Sequence, residues 1–271
     1  VEKIRLTGGE PLVRRNIIDL IQNLNNKKLK TNLKEITLTT NGTLLKKYAQ
    51  QLKENGINRI NVSLDTINEK KYKEITRFGN INNVFEGINE AIRNNIKVKI
   101  NTVLFKNFNE DDVFTLINWA NEKKMDLSFI EVMPMSDTDM PRHMQFVSLN
   151  ETFKKLSNIY NLQKSQHNTG GPSIYYTSNK LKIKIGFITP LSNNFCESCN
   201  RVRITSTGKL YMCLGQNDFV DFKKILREDR SDEYIKEKIR FALSTKPKRH
   251  DFIINSEVKP YMNRFMNETG G

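Results

Sequence analysis

The sequence predicts an α/β chain in which parallel strands and covering helices form a β/α barrel or part of one, followed by an antiparallel α+β extension. Two observations carry this reading. Up to about residue 133, short β-branched runs alternate with amphipathic helical stretches, and after Met133 the spacing changes to short strands separated by turns. With 271 residues and 37% hydrophobic content, the chain can bury the core of one elaborated domain or two small ones. We place the boundary between residues 1–135 and 136–271.

Ile4-Arg5-Leu6-Thr7, Ile36-Thr37-Leu38-Thr39, Ile60-Asn61-Val62-Ser63, residues 98–103 and Leu127-Ser128-Phe129-Ile130 read as the five strands of the first part. Between them, Ile17, Ile18, Ile21 and Leu24, and later Val84, Ile88 and Ile92, repeat at the spacing of one buried helical face. Strands that alternate with helices pair in parallel, and right-handed crossovers curl the sheet. Residues 134–150 form a polar, methionine-rich connector and 151–161 a short helix. Ile174-Tyr175-Tyr176, residues 181–185, 203–205 and 209–212 read as short antiparallel strands. Ser206-Thr207-Gly208-Lys209 is a hairpin turn, and lysine-rich helices follow near 219–228 and 232–244.

Lysine plus arginine (44) exceed aspartate plus glutamate (30), giving a formal charge of +14. That balance suits an anionic ligand such as a nucleotide, and would also suit nucleic acid. It carries little weight, because lysine, asparagine and isoleucine are over-used along the whole chain. No apolar run approaches membrane-spanning length. The chain opens on Val1-Glu2-Lys3-Ile4 without an initiator methionine and goes directly into a strand, which reads as a front-truncated piece of a longer protein.

Ligands of parallel β/α folds sit at the C-terminal ends of the strands. The polar residues there are Thr7-Gly8-Gly9-Glu10-Pro11, Thr39-Thr40-Asn41-Gly42, Ser63-Leu64-Asp65, Lys99 with Asn101, and Glu131 with Met133. Individually they fit turns and caps, but together they populate one rim. Two glycines remove the Cβ atoms that would hold a ligand off the strand edge, and Pro11 fixes the exit from the turn.

All three cysteines fall in one cluster, Cys196-x2-Cys199-x13-Cys213, with Arg201 and Arg203 inside it. Three thiolates can hold three irons of a [4Fe–4S] cube and leave the fourth open, or hold zinc if a fourth ligand joins them. Arg201 and Arg203, two apart on a strand, point to one face and offer fixed-geometry donors for phosphate or base oxygens.

The segments Leu6-Thr7-Gly8-Gly9-Glu10-Pro11, Thr39-Thr40-Asn41-Gly42, Asn61-Val62-Ser63-Leu64-Asp65, Ile75-Thr76-Arg77, Phe129-Ile130-Glu131-x-Met133-Pro134, the cysteine spacing with its arginines and the terminal Gly270-Gly271 resemble the radical S-adenosylmethionine GTP 3′,8-cyclases of molybdenum cofactor biosynthesis. The resemblance spans nearly the whole chain. It implies a partial TIM-type barrel of the radical S-adenosylmethionine kind. It implies that Gly9, Ser63 and Met133 contact S-adenosylmethionine, that Arg5, Thr39, Lys99, Arg201, Val202 and Arg203 contact GTP, and that Cys196, Cys199 and Cys213 ligate an auxiliary [4Fe–4S] cluster whose open iron meets the guanine. Gly270-Gly271 would reach into the site. It further implies a second [4Fe–4S] cluster in the full-length protein, a downstream cyclic pyranopterin synthase as pathway partner, a cytoplasmic location and room for a homodimer, with neither membrane nor nucleic acid as partner. No residue is singled out as catalytic.

Two departures stand against the family pattern. The Cys-x3-Cys-x2-Cys loop that holds the cluster which cleaves S-adenosylmethionine is absent, so the chain as given is expected not to make the radical. Ser128 stands where the family commonly has arginine ahead of Phe-Ile-Glu. Two other readings stay open at this point. One is a zinc-stabilised barrel that binds nucleotide or nucleic acid, with His167 or His250 beside the thiolates. The other is a different radical enzyme with an auxiliary cluster.

Overall fold

The computed structural model describes residues 1–135, 142–193, 195–228, 230–250, 252, 264 and 266–270. The first part runs β1 (Lys3–Leu6), α1 (Ile17–Lys27), β2 (Glu35–Thr40), α2 (Leu45–Glu54), β3 (Arg59–Ser63), α3 (Glu69–Thr76), α4 (Ile81–Arg93), β4 (Lys97–Leu104), α5 (Val113–Glu122) and β5 (Asp126–Glu131). Then come α6 (Arg142–Gln145), α7 (Leu149–Tyr160), β6 (Gln163–Lys164), β7 (Ile174–Thr177) and β8 (Ile185–Ile188). The last part holds β9 (Arg203–Ile204), β10 (Lys209–Tyr211), β11 (Phe219–Asp221), α8 (Phe222–Arg227), α9 (Asp232–Ser244) and α10 (Met266–Thr269).

One eight-stranded sheet has the order β1-β2-β3-β4-β5-β8-β7-β6. Neighbours from β1 to β5 pair in parallel, as the alternation predicts. Period-two alternation divides each strand between two environments. Ile36, Leu38, Ile60, Val62, Ile100, Leu127 and Phe129 are fully buried and join Ile21, Leu45, Leu52, Ile88 and Leu116 of the helices in one core. Each such side chain is worth about 1.5–3 kcal/mol of burial. The intervening residues, Arg5, Thr37, Thr39, Arg59, Asn61, Lys99, Asn101 and Ser128, are polar and line the opposite, concave face. Helix starts are capped where the sequence offers asparagine: Asn68 accepts from the backbone N–H of Lys70 and Lys71, and Asn80 from that of Asn82.

The strand expected over 181–185 is displaced. It forms at 185–188, pairs parallel with β5 and antiparallel with β7, and so adds a sixth parallel strand to the sheet. Gly186 explains the shift: a Cβ there would lie 2.4 Å from the Ser128 hydroxyl and 2.2 Å from that of Ser173. Only glycine lets this strand close against β5 at that register. In the last part, β10 pairs antiparallel with β9 and β11. Residues 219–221, expected as the start of a helix, instead form β11. Leu210, Met212, Phe222 and Ala242 make a second, small core with Val202, Val220, Ile225 and Ile235 packed against it. Among the described residues no helix is long and apolar enough to cross a membrane.

Candidate nucleotide and cluster site

The rim is fixed by one carboxylate. Glu10 accepts from the Leu12 N–H (3.0 Å), the Thr40 hydroxyl (2.8 Å) and the Asn41 N–H (2.6 Å), tying the turn after β1 to the loop after β2. Glu10 is therefore a strut of the rim. Above it, a Cβ at Gly8 or Gly9 would meet no heavy atom within 4 Å, so the backbone edge there faces open space. Ser63 is exposed at the end of β3, and Met133 is half-buried just beyond β5. Gly9, Ser63 and Met133 thus share one rim. Glu131 behaves like Glu10: buried, it accepts from the backbone N–H of Leu149, Leu191 and Ser192 and from the Ser192 hydroxyl, which holds the segments before α7 and after β8 in place.

The concave face is basic. Arg5 donates to the Thr39 hydroxyl at 3.4 Å, and Lys99 to the Tyr175 hydroxyl at 3.2 Å and to that of Ser128 at 3.4 Å. Burial, helped by the neighbouring cations Arg59 and Arg201, pulls the Arg5 guanidinium down to about 10. Burial also lowers Lys99, with Tyr175 opposing and Arg5 and Arg59 adding to the fall. For Tyr175 burial works upward most strongly, but the ammonium of Lys99 and hydrogen bonds with Thr169, Lys99 and Ser173 together bring the phenol below its ordinary value. Asn61 is buried with neither amide atom partnered, and Asn101 Oδ1 is likewise unpartnered. Orphaned polar atoms beside crowded cations are what a bound anion with hydrogen-bonding edges would satisfy.

Part of the positive charge is neutralised lower down. Glu35 binds both Lys3 (2.8 Å) and Arg59, whose Nη2 lies 2.9 Å from Glu35 Oε2. Burial raises the Glu35 carboxyl, yet these two cations overcome it and hold the group near 2. At the end of β3, burial pushes Asp65 up to about 6 although its carboxylate accepts from the Val103 N–H at 2.8 Å.

Arg201 and Arg203 close the other wall. Arg201 lies 5.5 Å over the Phe195 ring and near enough to Arg5 to depress it. Arg203 is brought to about 10 by burial and by Arg201, against the opposing pull of Cys199 and Cys213. Val202, expected to touch the ligand, packs its side chain on the second core, leaving its backbone as the part that can do so.

The thiols fit an iron–sulfur centre by their chemistry. None of the three forms a disulfide, and all are half-buried. Cys199 donates its N–H to the Cys196 carbonyl (2.9 Å) in a short 3-10 turn, and the Gly215 N–H donates to Cys213 Sγ at 3.4 Å. Burial would raise Cys199, but the backbone and cation of Arg201 and the ammonium of Lys246 bring it below the ordinary thiol value, toward the thiolate a metal needs. Among the described residues no three His, Cys, Asp or Glu are placed around a single ion. All three thiols lie between positions 196 and 213, far along the chain from Gly8-Gly9.

The tail meets the first strand. Gly270 is buried at φ +80°, and a Cβ on it would lie 2.2 Å from Thr7 Cγ2. Gly271 lies outside the described residues. Sequence reasoning missed Tyr175 and Lys246 as members of this site. Tyr175 reads as an ordinary strand residue, and only the β7–β8 pairing brings it to Lys99. Lys246 is one lysine among many in a lysine-rich stretch.

The chain matches the Radical SAM superfamily over residues 1–120 and Molybdenum Cofactor Synthesis C over 125–252. It is 49% identical over 272 residues to proteins named GTP 3′,8-cyclase from Brucella ovis and Brucella canis, covering 100% of this chain and 79% of each relative. In fold it is similar to SuiB of Streptococcus suis, solved with S-adenosylmethionine, with a TM-score of 0.55 and 16% identity over 82% of this chain and 52% of that one. The likeness to SuiB is one of fold alone. The polar concave face, the glycine rim and the three-thiol segment thus sit in a chain that belongs to the GTP 3′,8-cyclase family of radical S-adenosylmethionine enzymes, which act in molybdenum cofactor biosynthesis.

Proposed function

We propose that this chain binds GTP in the basic cavity between the barrel face and the cysteine segment, as the substrate-holding part of a GTP 3′,8-cyclase that forms (8S)-3′,8-cyclo-7,8-dihydroguanosine 5′-triphosphate. The observation that carries this is the convergence of Arg5, Lys99, Arg201 and Arg203 beside three thiols, with partly desolvated cations that a polyphosphate would neutralise. Arg5 and Lys99 hold phosphate oxygens from the barrel side. Arg201 and Arg203 hold them, or the base, from the other wall. Asn61 and Asn101 offer the hydrogen bonds of their free amide atoms to the ribose or base. Ser128 replaces the family's arginine, and it contributes by orienting Lys99.

Cys196, Cys199 and Cys213 would hold a [4Fe–4S] cluster, which when bound supplies an open iron for the guanine. Gly9, Ser63 and Met133 would line the S-adenosylmethionine subsite, and the Gly270-Gly271 tail would close the cavity. Anaerobic reconstitution followed by iron, sulfide and zinc analysis tests the centre. One iron–sulfur centre per chain is expected, lost in Cys213→Ser, with calorimetric GTP binding tighter than ATP binding. Stoichiometric zinc, or equal affinity for both nucleotides in the cluster-loaded chain, would refute it.

A further inference from the structure

Lys246 follows α9 and is half-buried, unlike most lysines of this chain. Its ammonium donates to the Arg201 carbonyl at 3.1 Å and to the Met212 carbonyl at 2.8 Å, and lies 4.0 Å from Cys199 Sγ. An ammonium has three protons and no acceptor, so two carbonyls and one sulfur take its full complement. The two carbonyls are not arbitrary. Arg201 comes two residues after Cys199 and Met212 immediately precedes Cys213, so one side chain bridges the two separate segments that carry the thiols.

We propose that Lys246 is a positioning residue for the auxiliary centre: it clamps the Cys199 and Cys213 segments at their working separation and places a fixed positive charge against a ligating sulfur. This inference rests on the reading of Cys196, Cys199 and Cys213 as cluster ligands. A cluster gains negative charge when it is reduced, so a cation held beside its sulfur stabilises the reduced form and raises its potential. The Gly215 N–H on Cys213 acts in the same sense from the other segment, as a partial rather than a full charge. Arg203 interacts electrostatically with both Cys199 and Cys213, so a second cation acts on the same thiols. The clamp also passes through Arg201, one of the residues facing the nucleotide, which couples cluster geometry to the ligand wall.

Substitution separates the two roles. Lys246→Arg keeps the charge. Lys246→Gln keeps two N–H donors for the carbonyls and removes the charge. Each variant is reconstituted anaerobically in the full chain, checked for fold by circular dichroism, and read by iron content and by potentiometric titration of the cluster. Lys246→Arg is expected to bind iron as the unaltered chain does, with a potential close to it. In Lys246→Gln the potential falls to more negative values, or iron is lost from a folded chain and restored by arginine. A Lys246→Gln chain with unchanged iron and unchanged potential would overturn the inference, as would an arginine variant that behaves like the glutamine one. Failure of the underlying reading is distinct, because the unaltered chain itself would then hold no iron–sulfur centre.

Discussion

Two demands meet at half-buried Arg203: Arg201 repels its charge, and the thiols of Cys199 and Cys213 attract it. A guanidinium so placed has lost water and gains most from a bound anion. Arg203→Ala should weaken GTP binding by roughly 1.5–3 kcal/mol, the worth of one charge-assisted hydrogen bond, with cluster content unchanged. Isothermal titration beside iron analysis checks this, and an unaltered affinity would remove Arg203 from the ligand wall. At this scale the sequence was informative where a motif fixed the position. Arg5 and Thr39, both named as nucleotide contacts by the resemblance, lie side by side on β1 and β2. Tyr175 was not legible, because its partner Lys99 is 76 residues away and only β8 brings the two together.

At the scale of elements, carboxylates do the joining. Glu35 ties β1, β2 and β3 through Lys3 and Arg59. Its folded value near 2 lies below its ordinary 4.5, so its contribution is complete above about pH 4.5 and is lost as pH falls toward 2. With the side chain 33% exposed, solvent screening reduces the effect to about 1–2 kcal/mol. Denaturant midpoints measured between pH 2 and pH 6 should show this loss in the native chain and a flatter profile in Glu35→Gln. Glu131 holds three backbone N–H groups, those of Leu149, Leu191 and Ser192. Glu131→Ala should therefore cost at least about 3 kcal/mol in urea unfolding, whereas a residue serving only the ligand would leave stability unchanged. The parallel strands were legible because each hydrophobic run sits between amphipathic helices. The position of β8 was not, since the alternation over 181–184 is as regular as that of a strand, and the Gly186 contact that decides the register involves Ser128 and Ser173 from elsewhere in the chain.

On the scale of the whole molecule, segments far apart in sequence meet at the rim. Gly270 packs on Thr7 with no room for a methyl group. Gly270→Ala should dislodge residues 266–270, seen as faster amide exchange there and weaker GTP binding, while the sheet keeps its protection. Thr7→Ser removes the methyl that a Cβ at position 270 would strike, so the double variant should recover part of the loss. Full retention of protection in Gly270→Ala alone would show that the tail does not depend on this contact. The diglycine was legible as a motif, but the packing of Gly270 on Thr7, just beyond β1, was not, because nothing local to either segment encodes the other.

That meeting of Thr7 and Gly270 has a consequence for the entropy of the fold. The contact closes a very long loop, but the entropic cost of closure grows only with the logarithm of loop length, so one well-fitted contact can hold it. A side chain at position 270 would therefore cost through steric exclusion at Thr7 and not through the distance the chain has to travel back to the rim.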